Sequence, residues 1–207
     1  DKLALLLRQL FDRHRVRVAG FDVAFPEADA SSGLPVLESI AQAELKDNAP
    51  FQAFLQRARA SLDYDRIFAD EIARRPVVLG FLLGAKDQRS GVLPPPAFPA
   101  SALAKAEFRH FAATGYSGNT PLLQSAAVAA GHLYPALDPD GITRSVPMFM
   151  RVGDGFFEAM SLAVLRIYLG NAPVSFDATV VESGDTPLGW IRFVRLGDQV
   201  RVPLDYR

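Results

Sequence analysis

Two periods of hydrophobic residues run along this chain, and together they predict both helices and strands. Leucines recur at the helical period within residues 2–14, at Leu3, Leu6, Leu7 and Leu10. This spacing places them on one face of an amphipathic helix. Residues 16–25 follow as an almost continuous apolar segment, which predicts a strand buried on both faces of a sheet.

The next part of the chain is predicted to be helical before it returns to a strand. After a loop, we expect a short helix at 37–45, a second at 51–62 and a third at 65–75, which Pro76 ends. Residues 77–83 then form a second apolar strand. The order strand, helices, strand predicts a parallel crossover, so the two strands should lie in one sheet.

Proline, glycine and short polar stretches interrupt the middle of the chain. Residues 84–98 contain three consecutive prolines and predict an irregular loop. We expect a short helix at 101–111, a loop at 114–120 and another short helix at 121–127, with Thr120 as its N-cap and proline in its first position. This part therefore contributes no strand to the prediction.

Residues 130–170 carry the clearest local pattern in the chain. Two tight turns, at 138–141 and 153–155, each contain a glycine that can close a hairpin. Strands should flank both turns. Apolar residues at helical spacing then predict an amphipathic helix over 156–169, and Gly170 ends it.

The C-terminal part returns to the pattern of strands. We expect strands at 178–182, 189–195 and 199–204, with a turn at 196–198 between the last two. The predicted fold class is thus α/β, with a mixed central sheet flanked by helices and a C-terminal antiparallel hairpin or meander region. Because no linker or repeat is visible, we expect a single domain over residues 1–207.

The composition says little about the fold, but it excludes some classes of partner and of chemistry. The 207 residues are 49% hydrophobic and 22% charged, as in ordinary globular domains. A net charge of −1 gives no overall attraction to nucleic acid, so no nucleic-acid partner is expected. The basic cluster at 13–17 follows a predicted helix, where cations favour the helix dipole. The absence of cysteine excludes disulfides, thiolate catalysis and most zinc sites.

The sequence lacks the motifs on which common catalytic sites are built. It contains no glycine-rich dinucleotide or phosphate loop, no Gly-x-Ser-x-Gly nucleophile elbow and no His-Glu-x-x-His zinc motif. The turn at 138–141 has only a faint likeness to a calcium loop, because the further oxygen ligands and the closing glutamate are missing. We therefore expect no metal and no cofactor, and an enzyme on an α/β sheet is the least favoured function.

Three polar residues are candidates for ligand binding, and each has a structural alternative. Asp22 lies near the C-terminal end of a predicted buried strand, where ligands bind in open α/β sheets. Alternatively, it hydrogen-bonds to nearby backbone and holds the following loop. His132 either contacts a ligand or is a structural residue at the start of a strand. Arg144 either binds an anionic ligand or pairs with Asp138 or Asp140 across the hairpin.

Several of these positions together resemble a known family. The pattern consists of Gly131-His132 followed by Asp138-x-Asp140-Gly141-Ile142-x-Arg144-x-Val146-Pro147. It is similar to the core signature of the CHASE domain of the second type, a cyclase/histidine-kinase-associated sensory extracellular domain. The segment 156–169 resembles the helix that follows in that family, and 18–25 resembles its first strand. Residues 30–62 look like an insertion relative to a compact member.

The resemblance implies a non-catalytic input domain of a bacterial membrane receptor, on the periplasmic or extracellular side of the cytoplasmic membrane. The output domains of such receptors are commonly adenylate cyclases, histidine kinases or related enzymes. The longest apolar run here, 77–85, is far shorter than the roughly 20 residues of a membrane-spanning helix. We therefore expect the membrane anchors to lie outside this sequence, and both of its ends to be cuts in a longer protein.

The same resemblance suggests a site and leaves one alternative function open. We expect an unknown small-molecule or protein stimulus to bind near four residues, Asp22, Asp29, His132 and Arg144. Three others, Asp138, Asp140 and Gly141, are expected to form a structural turn. The alternative is a structural module that positions receptor homodimers and binds no small ligand.

Overall fold

The computed structural model of this chain describes residues 2–84, 86–103, 107–108, 110–183, 186–198 and 200–203. The α-helices are α1 (Lys2–Arg8), α2 (Leu34–Gln42), α3 (Ala49–Leu62), α4 (Tyr64–Ala73), α5 (Pro121–Ala126) and α6 (Met160–Tyr168). A π-helical segment, Gln9–Arg13, continues α1, and a 3₁₀ turn lies at Ala100–Leu103.

The strands range from two to eleven residues in length. They are β1 (Ala19–Phe21), β2 (Val77–Gly84), β3 (Arg89–Ser90), β4 (Phe98–Pro99), β5 (Glu107–Phe108), β6 (Phe111–Ala113), β7 (Gly115–Ser117), β8 (Ala129–His132), β9 (Ala136–Leu137), β10 (Thr143–Ser145), β11 (Phe149–Val152), β12 (Gly155–Glu158), β13 (Val174–Ser183), β14 (Thr186–Leu196) and β15 (Val200–Pro203). The predicted α/β class is confirmed.

A mixed sheet forms the centre of the fold. Strands β1 and β8 both pair in parallel with β2, β7 pairs antiparallel with the end of β2, and β3 pairs with β7. The expected parallel pairing of the first two apolar strands is therefore confirmed. Layers pack on both faces of β2, so residues 77–81 and Leu83 are buried as the continuous hydrophobic run predicts, whereas Leu82 is 48% exposed.

Alternate residues of these strands face two different layers. One face carries Ala19, Leu79 and Ala130, which join the main core with residues of α1, α4 and α5. The other face carries Val78, which packs with Ala163 of α6. Because successive side chains of a strand point to opposite faces, the sheet has α1, α4 and α5 on one side and α6 on the other.

Helix α6 lies unusually close to the sheet, because glycines face it. A Cβ built on Gly131 would come within 2.4 Å of the Met160 Cα, and one built on Gly20 within 2.7 Å of the end of the Met160 side chain. At Gly131 the obstacle is backbone, which cannot move aside. The glycine before His132 is therefore required for the contact between β8 and the first turn of α6.

An ion-pair network holds the N-terminal helix against α4. Glu71 is buried and accepts hydrogen bonds from Arg8 Nε at 2.9 Å and from Arg75. Arg75 also donates to both carboxylate oxygens of Asp12, at 3.1 Å each. Burial alone would raise the pKa of Glu71, but its hydrogen bonds to the two arginines hold it below its usual value. The carboxylate thus stays charged between the two helices.

The remaining strands form three further sheets. Strands β4, β12, β11 and β6 form one sheet, β9 and β10 form a two-stranded ribbon, and β13, β14 and β15 form an antiparallel meander that β5 joins. The meander confirms the expected C-terminal region. The two predicted hairpins exist, at β9–β10 and β11–β12, but they belong to different sheets rather than to one continuous ribbon.

Several local predictions are wrong where distant partners decide the structure. In the described part of 101–111 the predicted helix is absent: a 3₁₀ turn ends at Leu103, and β6, which begins at Phe111, pairs in parallel with β11. The predicted loop at 114–120 contains β7, which pairs with β2. Phe157 belongs to β12 and not to the helix, which begins at Met160. Residues 104–106 and 109 of the first prediction, and Gln199 and Leu204 of the last strand, lie outside the described residues.

The segment expected to be an insertion, 30–62, folds into α2 and α3. The two helices share a small core of their own, formed by Leu34, Ala41 and Leu55. The side chain of Asn48 caps α3 by accepting a hydrogen bond from Phe51 N at 3.0 Å. Neither helix contributes a residue to the main core among the described residues.

Candidate functional site

Asn119 organises the end of the central sheet where its parallel strands finish. Its side chain is completely buried. Its Oδ1 accepts a hydrogen bond from Phe25 N at 2.9 Å, and its Nδ2 donates to Gly80 O and to Gln124 Oε1, each at 3.1 Å. One amide therefore joins the segment after β1, the middle of β2 and helix α5. Sequence reasoning missed it, because an Asn in a Gly-Asn-Thr stretch is typical of an exposed turn.

The same neighbourhood explains why the first strand is short. Thr120 N donates to Phe25 O at 2.7 Å, next to the bond between Asn119 and Phe25 N. Both polar groups of residue 25 are thus bound outside the sheet. The predicted strand 16–25 is therefore wrong in length: its sheet pairing is confined to β1, Ala19–Phe21.

His132 is the last residue of β8 and is buried, with 1% of its surface exposed. Its ring packs edge-on to Phe81, with ring centroids 6.5 Å apart. Nδ1 accepts a hydrogen bond from Tyr134 N at 3.4 Å, whereas Nε2 has no hydrogen-bond partner within the described part of the chain. Burial lowers the pKa of His132 to about 4, although the Pro147 backbone opposes the shift. The ring is therefore neutral at ordinary pH.

Asp22 follows β1 directly and is exposed. The premise that it lies on a buried strand is wrong, because the strand ends one residue earlier. Among the described residues, the Asp22 carboxylate forms neither an ion pair nor the hydrogen bonds to nearby backbone that the structural alternative requires. It remains a charged group at the carboxyl edge of the sheet, free to meet a ligand.

Asp29 is bound within its own loop. Ser31 Oγ donates to its Oδ1 at 2.7 Å, and Ser32 N donates to its Oδ2 at 3.1 Å. Its own N–H donates to Asp65 Oδ2 at 2.8 Å, which attaches the loop to the first turn of α4. The hydrogen bond from Ser31 holds the pKa of Asp29 below its usual value. These bonds are those of a turn-forming aspartate.

Arg144 pairs with two carboxylates across the exposed β9–β10 hairpin. It donates to Asp138 Oδ2 at 2.7 Å and to both oxygens of Asp140, at 2.9 and 2.7 Å. Gly141 has φ of 81° and donates its N–H to Asp138 O at 2.8 Å, which closes the turn. The structural alternative for Arg144 and the predicted turn are therefore both observed. The hydrogen bonds also raise the pKa of Arg144 and lower that of Asp140.

The four candidate residues do not form one cluster through any contact among the described residues. Asp22 and His132 share the carboxyl edge of the parallel strands, on the two neighbours of β2, with strand axes about 10 Å apart. Asp29 and Arg144 are engaged by their own local partners. In the described residues, no three His, Asp or Glu side chains come together as a metal ion would require.

These features define a class: an α/β domain with Asp22, Asn119 and His132 at the carboxyl edge of a parallel core, and with an exposed hairpin fixed by one arginine. The family model of the CHASE2 domain matches residues 1–207, and the chain belongs to that family. CHASE2 domains are extracytoplasmic sensory domains rather than catalytic ones. No curated protein and no solved structure shows a significant match. Among the helices of the described residues, none has the length and hydrophobicity of a transmembrane segment.

Proposed function

We propose that this chain is the ligand-sensing, non-catalytic input domain of a membrane-anchored bacterial receptor. Family membership supports the sensory role. The observation that carries the binding role is the carboxyl edge of the central sheet, where, among the described residues, the buried His132 ring has one nitrogen without a hydrogen bond and the exposed Asp22 carboxylate has no partner. Crevices at this edge are where open α/β sheets bind ligands.

The proposed site rests on Asp22 and His132 rather than on all four candidates. Arg144 and Asp29 would have to give up short hydrogen bonds to their own neighbours before they could bind a ligand. Asp22 gives up no such bond. A ligand with a hydroxyl group matches both side chains, because a hydroxyl can donate to the Asp22 carboxylate and accept from the N–H at Nε2 of the neutral His132 ring, whose Nδ1 already accepts from Tyr134 N. Binding would then favour one of two arrangements of the receptor, whose cytoplasmic output domain is a cyclase or a kinase.

A screen of small polar metabolites by thermal shift tests the proposal, with calorimetry on the compounds that stabilise the chain. We expect Asp22→Ala and His132→Gln each to lower the affinity for a stabilising compound at least tenfold, since each removes a hydrogen bond to a charged or buried group. Arg144→Ala is the matched control and should leave the affinity within twofold. If Asp22→Ala leaves the affinity unchanged, the carboxyl edge is not the binding site.

A second function, formation of a receptor dimer, is favoured by one specific observation. Helix α1 buries Ala4 and Leu7, so the rest of the predicted apolar face points away from the core. Leu3 is 38% exposed and Leu6 is 44% exposed. Leu3, Leu6 and Leu10 are three and then four positions apart, which is the spacing of the apolar positions in a coiled coil. A second copy of the same helix can cover this leucine seam.

Sedimentation of the chain over a range of concentrations tests the dimer. We expect a monomer–dimer equilibrium that Leu6→Lys shifts towards monomer. Val36→Lys is the control, because Val36 is 62% exposed on α2, away from the leucine seam. A wild-type chain that stays monomeric at every concentration, or a dimer that Leu6→Lys leaves intact, contradicts this second function.

A further inference from the structure

A surface cavity lies at the opposite edge of the central sheet, where the parallel strands begin. Its volume is about 550 Å³, and it is lined by the residues before β1 and β2 and by the end of α6: Arg17, Val18, Pro76, Ile167, Tyr168, Leu169 and Gly170. This volume lies in the range of small-molecule sites. None of the residues predicted as a binding site lines this cavity.

Among the residues that line the cavity, Arg17 is the charged one, and most of the others are apolar. Its guanidinium carbon lies 4.7 Å from the centre of the Tyr168 ring, and its Nη1 donates to the Tyr168 hydroxyl at 3.4 Å. No carboxylate pairs with it within the described residues. Because a guanidinium has five N–H donors, four stay available for a planar anion. Stacking on tyrosine holds the guanidinium plane and lowers the entropy cost of binding.

The segments that line the cavity are strongly cationic, although the whole chain has a net charge of −1. Residues 12–18, 74–77 and 165–171 contain six arginines and one histidine. Their single acidic residue, Asp12, pairs with Arg75, and Arg166 pairs with Glu158. The C-terminal end of the α6 dipole opposes an anion here, but it carries only about half a charge. The local field therefore attracts anions.

We propose that this cavity binds a small organic anion with an apolar body, such as a monocarboxylate on an aliphatic or aromatic frame. The carboxylate would take the free N–H groups of Arg17 as a bidentate pair. The apolar body would lie against Val18, Pro76 and Leu169. The inference stands apart from the proposed sensing role, since it concerns the other edge of the sheet and needs no signal output.

A titration of the 207-residue chain with 4-phenylbutyrate, followed by amide NMR, tests this site. We expect shifted amides around Arg17 and at 168–170. The neutral amide of the same acid and inorganic phosphate should each bind at least tenfold more weakly, because one lacks the charge and the other the apolar body. Arg17→Met should also weaken binding at least tenfold, whereas Arg17→Lys, which keeps the charge, should lose less.

Two control variants separate this site from the rest of the molecule. Arg57→Met removes an exposed arginine on α3, and Asp22→Ala alters the carboxyl edge; both should leave the affinity within twofold. The inference is overturned if 4-phenylbutyrate does not bind, if Arg17→Met binds it as well as wild type, or if the neutral amide binds equally. Each of these results leaves the metabolite screen at Asp22 and His132 unaffected, so the two proposals fail separately.

Discussion

The two halves of the family signature are close in sequence, with Asp138 only six positions after His132, but they have opposite physical roles. Gly131 and His132 are buried at the end of β8. Gly131 lacks a side chain and so lets the backbone of α6 pack against the strand, and the neutral ring of His132 lies in the core. Asp138, Asp140 and Arg144 form an exposed hairpin whose ion pairs face solvent. The first half of the motif is therefore required for packing of the core, and the second half fixes the geometry of a surface turn.

The difference shows that the strength of a pattern in the sequence does not measure its contribution to stability. Removing a group from a packed, water-free contact leaves neighbours that cannot relax or rehydrate. Exposed ion pairs exchange hydrogen bonds with water at little net change in free energy. We therefore expect changes in the buried half to unfold the chain and changes in the exposed half to leave its stability nearly intact.

The sharpest test of this contrast is a side chain at Gly131. We expect Gly131→Val to lower the free energy of unfolding by more than about 3 kcal/mol, because its Cβ would overlap the backbone of α6. Urea unfolding followed by circular dichroism measures the loss. Gly84→Ala in β2 is the control, since a Cβ there meets nothing within 4 Å. Equal stability of the two variants would contradict the close packing of α6 on β8.

A second test removes the buried amide that joins three elements. Asn119→Ala leaves Phe25 N and Gly80 O without partners, so we expect a loss of about 2–3 kcal/mol. Gln124→Ala removes only the bond to the Asn119 side chain and should cost clearly less. Chemical denaturation of both variants gives the comparison. If the two losses are the same, Asn119 does not act as the joint between β1, β2 and α5.

The pH dependence of stability tests the buried histidine. Its pKa is about 4 in the folded chain and about 6.5 when unfolded, so the folded state binds fewer protons. Its contribution is complete above pH 6.5 and is lost as the pH falls towards 4. We expect a loss of about 2 kcal/mol between pH 7.5 and 5, above the range where most carboxylates titrate. His132→Gln should flatten this slope; an unchanged slope in that variant would show that His132 is not its source.

The smallest effect is expected in the exposed hairpin. Arg144→Ala should leave the thermal midpoint unchanged within error, because all its carboxylate partners stay hydrated. Arg166→Ala is a matched contrast, since Arg166 pairs with Glu158, which is only 5% exposed, and its loss should lower the midpoint clearly. Scanning calorimetry of both variants measures the two midpoints. Equal shifts would mean that the loss of an ion pair matters in itself, and not its burial.

The features that could be predicted from the sequence are those that depend on residues close together in the chain. The arginine–carboxylate pair of Arg144 and the turn glycine at Gly141 depend on residues within seven positions of each other, and both predictions agree with the structure. The apolar run of β2 fixes its burial in the same way. For the hairpin, the spacing places the partners together; for β2, the composition of the run predicts burial without naming its neighbours.

The rest depends on partners that are distant in the chain. Strands β6 and β7 have three residues each, and only pairing with β11 and β2 makes them strands. Phe157 fits a helical period equally well, but it pairs with Met150 in a sheet. Asn119 is bound to groups up to 94 positions away. No window of sequence contains the information that settles these positions.

The π-helical segment at Gln9–Arg13 has a consequence for the helix before it. Here hydrogen bonds run from His14 N to Gln9 O, one residue further back than in an α-helix, so the turn accommodates an extra residue. Deleting one residue in this turn would restore an ordinary helix and rotate everything upstream by about 100° around the helix axis. The direction in which Leu3 and Leu6 point is therefore set by a single inserted residue.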